Sequence, residues 1–268
     1  GVDGARAKPA VDGARLVADG SGRELTYNRL RVVDARGRAL EARMEVPGSS
    51  RLAVVVDDAA AVYPVRIDPV FSDATWVSLG GVRGANGEVY AVAADDSGSV
   101  YIGGEFSVVG DVVAKGIAKW DGSEWSALDT GLGGAEFLAV YALAMSGTDL
   151  YVGGSFKTAG GAEAHHIARW DGTTWRAVGS GVDGWVYALC LAGTDLYAGG
   201  DFTRAGAVEA NYVAKWDGSA WSALGSGIGG TDSPSVYALA ASGSDLYAGG
   251  WFTTAGGIEA NYVAKWNG

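Results

Sequence analysis

A unit of about 50 residues is written out four times in this chain, and that recurrence constrains the fold more than any other feature. Val-Tyr-Ala opens the copies at Val89, Val140, Val186 and Val236. A Gly-Gly pair follows at Gly103, Gly153, Gly199 and Gly249, then a Trp-Asp/Asn-Gly corner at Trp120, Trp170, Trp216 and Trp266, always 17 residues after the first glycine. Self-similarity at this period marks a propeller or a solenoid, in which one supersecondary unit cannot bury its own apolar faces and stacks on its neighbours. The 44 glycines and 10 tryptophans, with no long helical pattern, suit short strands joined by tight turns.

Each copy reads as four strands. In the last copy they are 236–241, 245–248 leading into Gly249-Gly250, and 262–266, with the fourth missing; the third copy shows it as Trp221-Ser222-Ala223-Leu224. Strict alternation in the first strand places Tyr237 and Leu239 on one face and Val236, Ala238 and Ala240 on the other. Both faces are then apolar, as in a sheet sandwiched between two others. Trp216 and Trp221 bracket Asp217-Gly218-Ser219-Ala220, a four-residue hairpin loop that brings the two indoles together. Cys190 falls where other copies carry Ala93, Ala144 and Ala240, and reads as a small buried hydrophobe rather than a nucleophile.

A Gly-Gly doublet ending the second strand, an aromatic on the third and a Trp opening the fourth resemble the kelch-type β-propeller repeat. More narrowly, the run from Leu246-Tyr247-Ala248-Gly249-Gly250-Trp251-Phe252-Thr253 to Ala264-Lys265-Trp266-Asn267-Gly268 is similar to repeats of large secreted or surface bacterial proteins, related to those of a fungal cortical polarity marker. The resemblance covers residues 76–268. It implies an all-β, kelch-like β-propeller of four-stranded blades near 89–128, 140–178, 186–224 and 236–268. Trp76-Val77-Ser78-Leu79 aligns with a fourth strand, so 76–79 can complete the last blade as a clasp and close a four-bladed ring. Kelch-type relatives usually close with more blades, and the alternative is that these four belong to a larger ring. One kelch relative carries a copper radical centre built from Tyr, His and a crosslinking Cys; this chain lacks that set, so the resemblance does not imply oxidase activity.

Ahead of the repeats, residues 1–22 show no sustained period and are expected to be a loosely ordered lead-in. Residues 23–70 read as a small antiparallel β module with strands at 25–33, 39–46, 52–56 and 61–67; it is weakly similar to modules that precede such repeats in exported bacterial proteins. The repeats occupy 71–268. Charge divides the chain the same way: residues 1–70 carry 11 Lys/Arg against 10 Asp/Glu, and residues 71–268 carry 9 against 21. So acidic a surface repels phosphate backbones and anionic membranes, which argues against nucleic acid as a partner of the repeats. No apolar run is long enough for a transmembrane helix. The chain opens Gly-Val, so a natural start further upstream, with room for a secretion signal, is expected.

Residues that recur in every copy serve the blade, so function is sought where the copies differ. Only the loops from the fourth strand to the next first strand vary in length: Trp125 to Val140 spans 15 residues, Trp175 to Val186 spans 11 and Trp221 to Val236 spans 15. In a propeller these loops, 129–139, 179–185 and 225–235, share a face with the second-to-third-strand loops 105–112, 155–165, 201–211 and 251–261. Irregular loops on a regular scaffold are where binding usually resides. The candidate ligand-binding residues on that face are Trp185, Trp251, Phe137, Asp183, Asp201, Glu163, Glu209 and Glu259. Trp185 and Trp251 have no aromatic counterparts and could stack on a sugar ring or a partner side chain, or simply pack their loops.

Catalytic chemistry finds little support. His165-His166 is the single histidine pair; neighbours on a strand point to opposite faces, so the two do not share a metal, and no metal or other cofactor is expected. The expected function is a non-catalytic extracellular or cell-surface scaffold for interaction or adhesion, binding a protein or glycan through the variable loops. Two alternatives stand beside it: an extracellular carbohydrate-active enzyme using loop carboxylates, and a purely structural spacer in a large surface protein.

Overall fold

The structure, a computed structural model, describes residues 5–10, 13–18, 24–48, 51–73 and 84–268. Among them every regular element is a β-strand, and the chain divides into two units, residues 1–82 and 83–268. No helix among the described residues is long and apolar enough to cross a membrane.

In the first unit β1 (Ala5–Ala10), β2 (Gly13–Ala18), β3 (Glu24–Val33) and β6 (Arg66–Asp73) form one antiparallel sheet in the order β1-β2-β3-β6. β4 (Ala42–Gly48) and β5 (Arg51–Val56) form a two-stranded ribbon. The expected lead-in is therefore a hairpin, with Ala7 and Ala14 buried. Alanine carries too little hydrophobic weight to mark a strand in a periodicity reading. The strand expected at 61–67 begins instead at Arg66; before it the chain turns, and the Val62 N–H donates to the buried Asp34 carboxylate at 3.4 Å.

The second unit holds the four copies. The first three form four-stranded antiparallel sheets: Glu88–Ala94, Val100–Glu105, Ile117–Trp120 and Trp125–Ala127; Val140–Ser146, Asp149–Gly154, Ile167–Trp170 and Trp175–Ala177; Val186–Ala192, Asp195–Gly200, Val213–Trp216 and Trp221–Ala223. In each the strands lie side by side in chain order. The fourth copy contributes Ser235–Ser242, Asp245–Trp251 and Val263–Trp266; the segment expected to complete it, Trp76 to Leu79, lies outside the described residues. First strands of successive copies neighbour one another, and three apolar cores fill the spaces between copies.

Two details join the copies. The paired indoles at each corner, Trp120 with Trp125, Trp170 with Trp175 and Trp216 with Trp221, lie 5.2–5.4 Å apart by ring centroid, as the hairpin spacing predicts. The indole N–H of Trp175 donates to the Leu128 carbonyl of the preceding copy at 3.0 Å, and that of Trp221 to Val178 at 3.1 Å. The Trp125 N–H is buried with no acceptor among the described residues; the matching position before it, Leu79, lies outside them. In the fourth copy the corresponding seat, beside Leu224 and Gly256, is an open groove of about 470 Å³.

The first strand departs from strict alternation. In every copy the register slips at the tyrosine: Val236 pairs Gly250 and Ala238 pairs Gly249, leaving Tyr237 as the extra residue of a β-bulge, with identical slips at Tyr90, Tyr141 and Tyr187. Val236 and Leu239 consequently reach the same glycine, Gly199 of the preceding copy, and do not lie on opposite faces as alternation requires.

Candidate functional site

The bulges build the site. A residue released from the ladder can be re-aimed, and here four tyrosines, one from the first strand of each copy, form a continuous row. Ring centroids are 5.6 Å apart from Tyr90 to Tyr141, 5.3 Å from Tyr141 to Tyr187 and 5.4 Å from Tyr187 to Tyr237, all tilted. This spacing is the one aromatic pairs prefer. Trp185 adds a fifth ring, 6.1 Å from Tyr141 and 6.3 Å from Tyr187, and is 38% exposed.

Residues following the Gly-Gly doublets, Glu105, Ser155, Asp201 and Trp251, decide what polar groups meet the row. The Tyr90 hydroxyl donates to Glu88 Oε2 at 2.6 Å and, more weakly, to Glu105 Oε2 at 3.4 Å. The hydrogen bond to Glu88, then burial and the two carboxylate charges, push its pKa up to about 12. Asp201 acts as a bracket: Oδ1 accepts the Trp185 backbone N–H at 2.5 Å and Oδ2 accepts the Tyr187 hydroxyl at 3.0 Å. Burial first, and Asp201 second, raise the Tyr187 phenol; burial, with the charges of Glu105 and Asp201, raises Tyr141. Ser155 is spent inside the fold, donating to the Phe137 carbonyl at 2.6 Å and accepting the Ala139 N–H at 2.9 Å.

The candidates from the sequence divide accordingly. Trp185 and Asp201 belong to the row. Asp183 is committed to its own turn, where Oδ1 accepts the N–H groups of Thr203 and Arg204 at 2.7 and 2.8 Å and Oδ2 accepts the Thr203 hydroxyl at 2.9 Å. Burial acts to raise its pKa, but those donors outweigh it and hold the carboxyl below its ordinary range. Phe137 is exposed on the 129–139 loop, whose Leu132, Ala135 and Leu138 share with Glu105 and Lys115 the wall of a cleft of about 460 Å³.

Glu163, Glu209 and Glu259 are placed elsewhere. They end two-residue arms, Ala162–Glu163, Val208–Glu209 and Ile258–Glu259, in small hairpins. The first two arms lie against the fourth strands Trp175–Ala177 and Trp221–Ala223. That is the far edge of each sheet from the tyrosines, so Glu163 and Glu209 stand apart from the row. The same loops pair with the linkers between copies, residues 132–133 with 158–159 and 228–229 with 254–255. Trp251 is 52% exposed, with its ring 5.6 Å from Tyr262.

His165 and His166 are not strand neighbours but consecutive residues at positive φ, 38° and 71°, where the first copy has Lys115-Gly116. The His166 ring is buried, with Nδ1 unpartnered among the described residues, and burial lowers its pKa. Among the described residues no three His, Cys, Asp or Glu side chains cluster as metal ligands do. The tyrosine row itself was missed because a residue common to all copies reads as scaffold. Its signal was the tyrosine beside Val in every copy, in a strand interior otherwise without aromatic residues.

No family model and no curated protein matches the chain. Among solved structures, an extracellular domain assigned to a one-component system of B. thetaiotaomicron is 11% identical with a TM-score of 0.47, the match covering 97% of this chain and 32% of that one. A computationally designed protein is 19% identical with a TM-score of 0.37, covering 93% and 79%. The chain thus spans about a third of the length of the first of these.

Proposed function

We propose that the four copies are part of a kelch-like β-propeller that serves as a non-catalytic extracellular scaffold and binds a glycan along the tyrosine row. The reading of the sheets as blades is supported by their common strand order and by first strands that neighbour one another from copy to copy. The observation that carries the ligand is the row itself, four phenols and Trp185 at stacking distance, with Glu88, Glu105 and Asp201 holding its polar edges. Flat apolar ring faces beside fixed acceptors match a sugar, which offers C–H faces to aromatics and hydroxyls to carboxylates. Asp183, with its pKa held low by three donors, is unsuited to the protonated role that glycosidic cleavage demands.

A glycan array followed by titration calorimetry tests the reading. Wild-type chain should retain at least one glycan, and Trp185→Ala should weaken it by about tenfold, the worth of one aromatic contact. Retention of no glycan, or equal affinity in Trp185→Ala, overturns it; so does polysaccharide turnover abolished by Glu105→Gln. A protein partner presenting Lys or Arg is a second reading, favoured by the 21 acidic against 9 basic residues of 71–268. Its affinity would fall steeply with salt, whereas stacking on a neutral sugar would not.

A further inference from the structure

We propose that the glycan taken by the row carries a free amine, and that the ammonium group of an amino sugar seats over Tyr141, Trp185 and Tyr187 against the Asp201 carboxylate. The inference rests on the glycan reading above and adds the charge of the ligand to it. Tyr141 comes from the second copy; Tyr187 and Asp201 come from the third, and Trp185 from the linker just before it. The three ring centroids form a triangle with sides of 5.3, 6.1 and 6.3 Å. A cation resting on so small a triangle lies within ~6 Å of all three centroids, the range over which a ring face attracts it. The rings also differ in direction: Trp185 stands at 86° to Tyr187, and Tyr141 is tilted 35° to the first and 57° to the second. They line a corner rather than a flat shelf, and a compact charged group fits a corner better than the broad face of a pyranose does.

The carboxylate at this corner is held in place and keeps its charge. Gly184 leaves room for it, since a Cβ there would lie 2.6 Å from Asp201 Oδ1. Its bonds to the Trp185 N–H and the Tyr187 hydroxyl fix both rings relative to the charge, and both donors are neutral. Among the described residues no Lys or Arg pairs with Asp201, or with Glu105, whose charge also acts on the Tyr141 phenol. Acids that recur in the copies are treated differently: Asp149, Asp195 and Asp245 pair with Arg169, Lys215 and Lys265 at 3.2, 3.0 and 3.1 Å. His166 lies within electrostatic reach of Asp201, but burial favours its neutral form. The fold thus neutralises its repeated acids and leaves those beside the rings to a cation from outside. An ammonium gains from the ring faces and from the carboxylate together, a neutral sugar gains nothing from the charge, and a uronic acid is repelled by it.

The test is titration calorimetry of the full chain with β-linked tetramers of glucosamine, glucose and N-acetylglucosamine, which share a sugar ring and differ at one substituent. At a pH where the amine is charged, the glucosamine tetramer should bind about tenfold more tightly than the glucose tetramer, the worth of one cation over aromatic rings. The acetylated tetramer, which has lost the charge, should fall back to the glucose value. Asp201→Asn and Trp185→Ala should each erase the preference. Glu209→Gln removes the same charge away from the row and should keep it. Equal binding of the three tetramers, or a preference for the acetylated one, overturns the amine and leaves the glycan reading standing. So does a loss in Glu209→Gln as large as in Asp201→Asn, because the acidic surface as a whole would then be the cause. If all three tetramers fail while another glycan binds, the amine alone falls; if no glycan binds, both readings fall.

Discussion

Gly153 and Val186, in successive copies, share one position in space: a Cβ added to the glycine would lie 2.5 Å from the valine Cγ1. The second glycine of the doublet meets a different demand. A Cβ at Gly154 would lie 2.1 Å from the Ala139 carbonyl oxygen, on the bulged strand of its own copy. One glycine admits the next copy and the other admits the bulge that frees the tyrosine. The doublet therefore links the stacking of copies to the row of rings, by close approach rather than by unusual backbone angles.

Gly153→Ala and Gly249→Ala should differ sharply. The first drives a methyl into a β-branched neighbour with little room to turn, and about 1–3 kcal/mol of stability should be lost. The second enters open space and should stay within about 0.5 kcal/mol of wild type in the isolated chain. Urea denaturation of both variants measures the contrast.

Trp221→Phe removes an indole N–H that bonds the Val178 carbonyl, whereas Trp125→Phe removes one that has no acceptor among the described residues. Both lose similar ring volume from similarly buried sites, so the difference between them isolates the hydrogen bond. Trp221→Phe should be the more destabilising by about 1 kcal/mol. Equal losses would show that the indole link between copies contributes nothing.

The row should titrate late. With Tyr90 raised from 10.0 to about 12, the unfolded chain gives up its proton before the folded one, so the stability this phenol contributes is complete below pH 10 and is lost as pH rises through about 12. Tyr141 and Tyr187, also raised, act in the same direction. Phenolate absorbance followed against pH should show these late tyrosines, and Glu88→Gln should return one of them towards 10.0.

Acid should act through the corners. Asp217 Oδ1 accepts the N–H groups of Ala220 and Ser219 and the Ser219 hydroxyl, each at 2.8 Å, and these donors, the Ala220 N–H foremost, depress its pKa from 3.8 to about 2. Asp121 is held at about 2 in the same way, led by the Glu124 N–H. A depressed carboxylate contributes stability above its unfolded pKa and loses it as pH falls through the folded one, so the melting temperature should drop between pH 3.8 and about 2. Asp217→Asn should make that decline shallower.

The four sheets were legible because the repeat carries its own punctuation. Trp216-Asp217-Gly218 marks a hairpin, the Gly-Gly doublet ends a strand, and apolar residues between them alternate. The hairpin at 5–18 was not legible, because its buried positions are alanines and mark no period. The site was legible only in part. Trp185 stood out as a departure from the repeat, and Asp201 as an acid on the expected loop face, but nothing local ties them together. Their bond at 2.5 Å joins residues 16 apart across a strand pair.

Spacing and residue type alone determined that this chain would fold as a run of small antiparallel sheets, since both turn chemistry and strand period are local properties. The tertiary structure decided which residues face the open. A one-residue bulge reverses side-chain direction for everything beyond it, and a bulge is set by what the partner strand and the neighbouring copy leave room for. Tyr90, Tyr141, Tyr187 and Tyr237 thus came together in one row, while Glu163 and Glu209, with similar promise in the sequence, were carried on arms beside the outer strands.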